Sequence, residues 1–183
     1  TNQSRVSGVW GYLYQAIRNA NIMIAAIPNA QNASEADQQK YMGESRFLRA
    51  LAYFHLVRNW GAVPLRTESN LDEIEIDRSP ESAVYELITS DLEYAASALP
   101  ATASVAGRAT AGAAKLLLAD VHFYLNNYEK AAQLTKEVIQ SKQYSLVEVS
   151  TWEDFDNLFG ANIVTTPEEV FYLKYHEQDG FSF

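Results

Sequence analysis

No cysteine occurs anywhere in the 183 residues. That excludes disulfides, thiolate metal sites and thiol nucleophiles, and it leaves the redox compartment undecided. Basic residues are scarce: 14 Lys and Arg stand against 23 Asp and Glu, for a formal net charge of −9. Such a balance argues against a nucleic-acid surface and against adhesion to anionic lipid, since both need clustered positive charge. No run of apolar residues approaches the roughly 18 needed to span a membrane. The three histidines, His55, His122 and His176, are far apart, and none opens an H-E-x-x-H pair. There is also no G-x-S-x-G, Walker or G-x-G-x-x-G loop. No catalytic residue, metal ligand or cofactor loop is identified, and no enzyme is expected.

The residues present read as helices. At 48% hydrophobic and 20% charged, the chain has enough apolar material for one core. The stretch 41–65, YMGESRFLRALAYFHLVRNWGAVPL, places Phe47, Leu48, Leu51, Ala52, Phe54 and His55 at helical three- and four-residue steps. Leu56 and Val57 widen the stripe and predict a largely buried helix. Gly61 and Pro64 end it, and Val63 to Leu65 reads as extended.

An earlier helix is predicted over 10–27, with Pro28 at its end and Ser34 as the cap of the next. Ser79-Pro80-Glu81 reads as a helix start with serine as cap, and Leu99-Pro100 as its close. Thr110 caps an apolar helix over 113–125, Asn126-Asn127 turns the chain, and 128–141 is helical again. A short helix is expected around Trp152, within 148–159, and a strand over 169–175, EVFYLKY. Ala119 and Ala131 are twelve residues apart across the Asn-Asn turn. This spacing fits a tetratricopeptide pair, in which small residues let two antiparallel helices approach closely. The stretches 10–27 and 41–59 would form an earlier pair.

Three residue groups invite a functional reading. Residues 66–78, RTESNLDEIEIDR, are acidic, but an EF-hand would require a glycine at the sixth position and a glutamate at the twelfth, so a solvated loop is the reading. Arg46 and Arg49, three apart beside the buried stripe, suggest either an anion site or an internal ion pair; the pair is favoured, with Asp91 or Glu44 as partner. Of the 11 Tyr and 3 Trp, most sit at core spacing. Tyr12, Trp60 and Trp152 are the aromatics whose exposure matters most for sugar stacking.

GESRFLRALAYFHLVRNWGAVPL, residues 43–65, resembles the hallmark segment of the SusD/RagB family. The long ungapped match includes Gly43, Glu44, Arg46, Phe47, Arg49, Tyr53, Gly61 and Pro64. Trp10, Tyr14, Ile17 and Asn21 resemble a second family segment, Tyr85, Ile88, Asp91 and Leu99 a third, and Gly107, Arg108, Tyr124 and Tyr144 a fourth. The resemblance implies a mainly all-α, tetratricopeptide-like helical-repeat domain with long connectors and a short C-terminal strand. It implies that residues 1–183 form one such domain, an internal fragment of a longer protein.

It further implies a non-enzymatic, nutrient-binding lipoprotein of the Bacteroidetes outer membrane. Such a protein is surface-exposed and anchored through an upstream acylated cysteine. It captures oligosaccharide, or in some members peptide, and passes it to a SusC-like TonB-dependent transporter. The family's ligand residues lie mainly in loops outside the matched segments, so no ligand-binding position carries over. The alternative is a tetratricopeptide scaffold that binds peptides, for which a basic carboxylate clamp would be expected.

Overall fold

The structure is a computed structural model that describes residues 2–160, 163 and 165–172, with side chains from residue 6 onward. Five long helices carry it: α1 (Asn2–Ala26), α2 (Glu35–Trp60), α3 (Glu81–Ala98), α4 (Ala111–Tyr124) and α5 (Tyr128–Ser141). A one-turn helix, α6 (Asp156–Phe159), follows a 3₁₀ turn at Trp152–Phe155. The helices form a linear array in which α2 packs on α1 and α3, α3 on α4, and α4 on α5. This is the tetratricopeptide-like architecture expected. The three residues between α4 and α5 leave that pair only an antiparallel arrangement.

Local chemistry explains the boundaries. Ser34 caps α2 as expected, its Oγ accepting from the Asp37 amide at 3.1 Å, so the helix starts at Glu35. Gly61 ends it with φ of 68°, a conformation that disfavours side chains. Thr110 caps α4 through the Ala113 amide at 3.1 Å. Asn126 takes φ of 62° in the turn before α5.

Ser79 is not the cap of α3. Pro80 holds that position without a side-chain bond. Ser79 instead pairs with Val63 in a two-residue antiparallel contact of β1 (Val63–Pro64) with β2 (Arg78–Ser79). That contact closes the 66–78 loop at its base.

The expected C-terminal strand is not formed over residues 169–172, which bend; residues 173–175 and His176 lie outside the described residues. Val170 and Phe171 pack against the helical core, with Phe171 edge-on to Phe47 at 4.9 Å between ring centroids. These two neighbouring apolar residues serve that packing and no strand ladder.

The core follows α2. Phe47, Ala50, Tyr53, Phe54, Leu56 and Val57 are buried there, against Ile17 of α1, Val84, Ile88 and Leu92 of α3, and Ala114 and Val121 of α4. Leu48 and His55, expected on the buried stripe, are exposed instead. They face a groove between α1 and α2.

Candidate functional site

The polar centre of the molecule is Arg49, buried at 2% exposure. Its Nε and Nη2 donate to the two carboxylate oxygens of Asp91 on α3, at 2.7 and 2.8 Å. Its Nη1 donates to Asn21 Oδ1 on α1 at 2.7 Å and to the carboxylate of Glu68. Three helices and one loop therefore meet on a single guanidinium, whose planar fork suits two-pronged carboxylate pairing. Asn21 Nδ2 then donates to the Arg66 carbonyl at 3.0 Å. Tyr53 donates its hydroxyl hydrogen to the same carbonyl at 2.8 Å and accepts from the Arg66 amide at 2.7 Å. Tyr14 donates to the Pro64 carbonyl at 2.8 Å.

Burial dominates the electrostatics here. It pushes the Tyr53 hydroxyl up to about 12 and raises that of Tyr14 further. Glu68 would be raised by burial as well, but its bond to Arg49 draws it below the ordinary glutamate range. The central pair pulls two ways. Burial lifts Asp91 above the usual aspartate range; burial also works against charge on Arg49, yet the Asp91 and Glu68 contacts hold its proton more tightly than usual. The fork-to-fork geometry favours the charged pair.

The ion-pair expectation for Arg49 therefore holds, with Asp91 as the partner. Glu44 is not: it receives two bonds from Arg108, one of them from Nε at 2.8 Å. Arg46 lies 3.9 Å from Asp91 and stacks over Tyr94 at 4.5 Å. Neither arginine offers an open anion site. Asn21 and Glu68 completed the network without a sequence signal that singles them out, although Asn21 belongs to the matched W-x-x-x-Y segment.

Three of the concave surfaces among the described residues lie between neighbouring elements of the array. A cleft of about 410 Å³ lies between α1 and residues 66–71, bordered by Tyr14, Gln15, Arg18, Asn21, Arg66 and Asn70. An apolar groove of about 660 Å³ runs between α1 and α2 along Val9, Leu13, Met23, Leu48, Leu51 and His55. A third, of about 620 Å³, lies between α4 and α5, where Ala119 and Ala131 both line it with Phe123, Tyr128 and Ile139.

Of the aromatics flagged for stacking, Tyr12 and Trp152 are 73% and 77% exposed and stand apart from these surfaces. Trp60 is half-buried and sits edge-on to Trp10 at 5.2 Å. His122 is half-buried, with Nδ1 3.5 Å from the Asn127 side-chain Nδ2 and Nε2 without a hydrogen-bond partner among the described residues. Among the described residues no group of His, Asp or Glu is arranged to hold a metal, and no helix is long and apolar enough to cross a membrane.

Residues 1–125 match the SusD-like family described as "Starch-binding associating with outer membrane". A SusD-like protein of Formosa agariphila is 35% identical over 148 residues, covering 78% of this chain and 28% of its own. A crystal structure of a SusD-like protein from Bacteroides fragilis superposes with a TM-score of 0.82 at 32% identity, over 92% of this chain and 34% of that one. A laminarin-binding SusD-like protein superposes with a TM-score of 0.75 at 31% identity, over 89% and 36%. The chain thus spans about a third of the length of the proteins it resembles.

Proposed function

The chain belongs to the SusD-like family, and on that premise we propose that it is the helical scaffold of a non-catalytic nutrient-binding protein at the outer-membrane surface. Residues 1–183 would be one domain of a longer parent, held to the membrane by a lipid on a cysteine upstream. The parent takes up oligosaccharide and delivers it to a SusC-like TonB-dependent transporter.

One observation carries the scaffold assignment. The segment with the most specific family likeness, 43–65, is committed to structure: Arg49 to the buried network, Glu44 to Arg108, and Phe47, Tyr53 and Leu56 to the core. Arg49, Glu44 and the core aromatics, so occupied, are not free to act on a substrate. The oligosaccharide reading is supported by the solved relative described as laminarin-binding.

Calorimetry of this chain and of the parent against a panel of neutral oligosaccharides and peptides, with a reducing-sugar release assay alongside, tests the proposal. The parent is expected to bind an oligosaccharide, and the chain alone to bind neutral sugars weakly or not at all and to release no reducing ends. Turnover by the chain would overturn the non-catalytic reading. Tight neutral-sugar binding by the chain would overturn the scaffold assignment.

A further inference from the structure

We infer that the cleft between α1 and residues 66–71 binds an anionic group, a carboxylate or a sulfate ester, carried on a sugar-sized ligand. Its volume of about 410 Å³ lies within the range of small-molecule sites. The α1 wall is a helical stripe of Gly11, Tyr14, Gln15 and Arg18, and the opposite wall brings Arg66 and Leu71. Tyr14 and Leu71 supply an apolar surface for ring carbons, while Gln15 and Arg18 supply donors.

The charge on the two guanidinium groups carries the inference. Arg18 is exposed and makes no hydrogen bond or ion pair with any described residue. Arg66 donates to two backbone carbonyls, of Glu73 at 2.7 Å and Ile74 at 2.9 Å, but meets no carboxylate. Carbonyls hold the side chain in place without neutralising it. By contrast Arg46, Arg49, Arg58 and Arg108 each lie within ion-pair distance of an acid, while Arg78, which also has none among the described residues, stands outside the cleft. In a chain of net charge −9, acids to pair with are plentiful, yet two uncompensated guanidinium groups border one cleft. The acid nearest in sequence to Arg66, Glu68, is bonded to Arg49 instead. A carboxylate or sulfate entering the cleft would meet the free planar fork of Arg18, a geometry suited to it, with the positive charge of Arg66 held nearby by its two carbonyls. Gly11 faces open space on that wall, since a Cβ there would have no atom within 4 Å.

The saccharide half of this inference rests on the proposed function, whereas the anion half rests on the cleft alone. The test is a backbone-amide NMR titration of this chain with four probes: a glucuronic-acid disaccharide, its carboxyl-reduced form, a sulfated disaccharide and inorganic sulfate. The acidic sugars should shift amides around Gly11, Arg18 and Asn70, and the carboxyl-reduced form should not. Arg18→Ala should weaken binding by about tenfold or more, as loss of a charge-assisted contact does. Gly11→Leu should abolish it by filling the cleft. Arg18→Ala should melt like wild type, because it alters exposed surface, and Gly11→Leu should melt no lower, because leucine favours the helix more than glycine does.

Equal binding of the carboxyl-reduced sugar, no effect of Arg18→Ala, shifts centred elsewhere or no shifts at all would overturn the inference. Sulfate binding as tightly as the sugars would overturn its saccharide half. Because the parent's binding of neutral glycans is measured separately, a failure here leaves the proposed function standing, and a failure there leaves the anion site standing.

Discussion

Replacing Arg49 with methionine leaves Asp91, buried at 1% exposure, without its hydrogen-bonded cation and with only Arg46 at 3.9 Å. The expected cost is about 3–5 kcal/mol, as for other broken buried pairs, against at most about 1 kcal/mol for breaking the exposed Arg58–Asp120 contact. The double variant Arg49→Met/Asp91→Leu should recover part of that loss, since it removes both charges together. Urea unfolding of the three proteins checks this, and an Arg49→Met variant as stable as wild type would contradict the role given to the network.

His122 makes a second residue-level prediction. Burial, and next the positive charge of Lys130, hold its pKa below the ordinary value of 6.5. The unfolded chain therefore binds that proton more readily than the folded one, so stability is complete above the unfolded value and falls as pH drops through it. Comparing urea midpoints at pH 7.5 and 5.5 should show a larger drop for wild type than for His122→Gln. Equal drops would refute the shift. Asp91 was foreseeable as a partner of Arg49 because a buried guanidinium requires an acid and few acids lie on apolar stripes. Glu68 was not, because it arrives from a loop whose path no periodicity describes.

At the scale of the element, the crossing of α2 and α3 depends on Gly43. A Cβ at that position would stand 3.1 Å from the Leu99 side chain and 3.4 Å from the Ala98 Cβ, so side chains at the end of α3 already fill the space a larger residue would need. Gly43→Leu should destabilise by about 1–3 kcal/mol through overpacking, measured by thermal melting. Ala131→Leu on α5 should behave similarly, because Ala131 is buried at 7% against α4. An unchanged melt would contradict the close helix approach read from the Ala119–Ala131 spacing.

The helices were legible in sequence wherever period and cap agree, as at Thr110 and at Ser34. They were less so at Ser79, where a distant pairing with Val63 draws the residue out of the cap position. The stretch 169–172 misled for a related reason. Alternating aromatic and β-branched residues suit a strand, but they suit packing on a helical core equally well, and Phe171 is used in that way.

For the whole molecule, the array of helices was readable from the Ala119–Ala131 spacing and from the 43–65 segment, whereas the cleft was not. Arg18 and Arg66 are 48 positions apart by their numbers, and only the folded loop sets them on one surface. Nor could sequence show that Leu48 and His55 would face a groove, since periodicity marks a helix face without saying what covers it. The proposed function concerns a protein about three times this length, judged from the relatives of which the chain spans 28% and 34%. Its central claim is a partnership at the outer membrane, and the most direct measurement is quantitative mass spectrometry of the tagged parent after gentle detergent purification from that membrane. The account predicts a TonB-dependent transporter recovered in near-stoichiometric amount. A parent recovered from the outer membrane without any transporter, or found entirely in a soluble fraction, would contradict it.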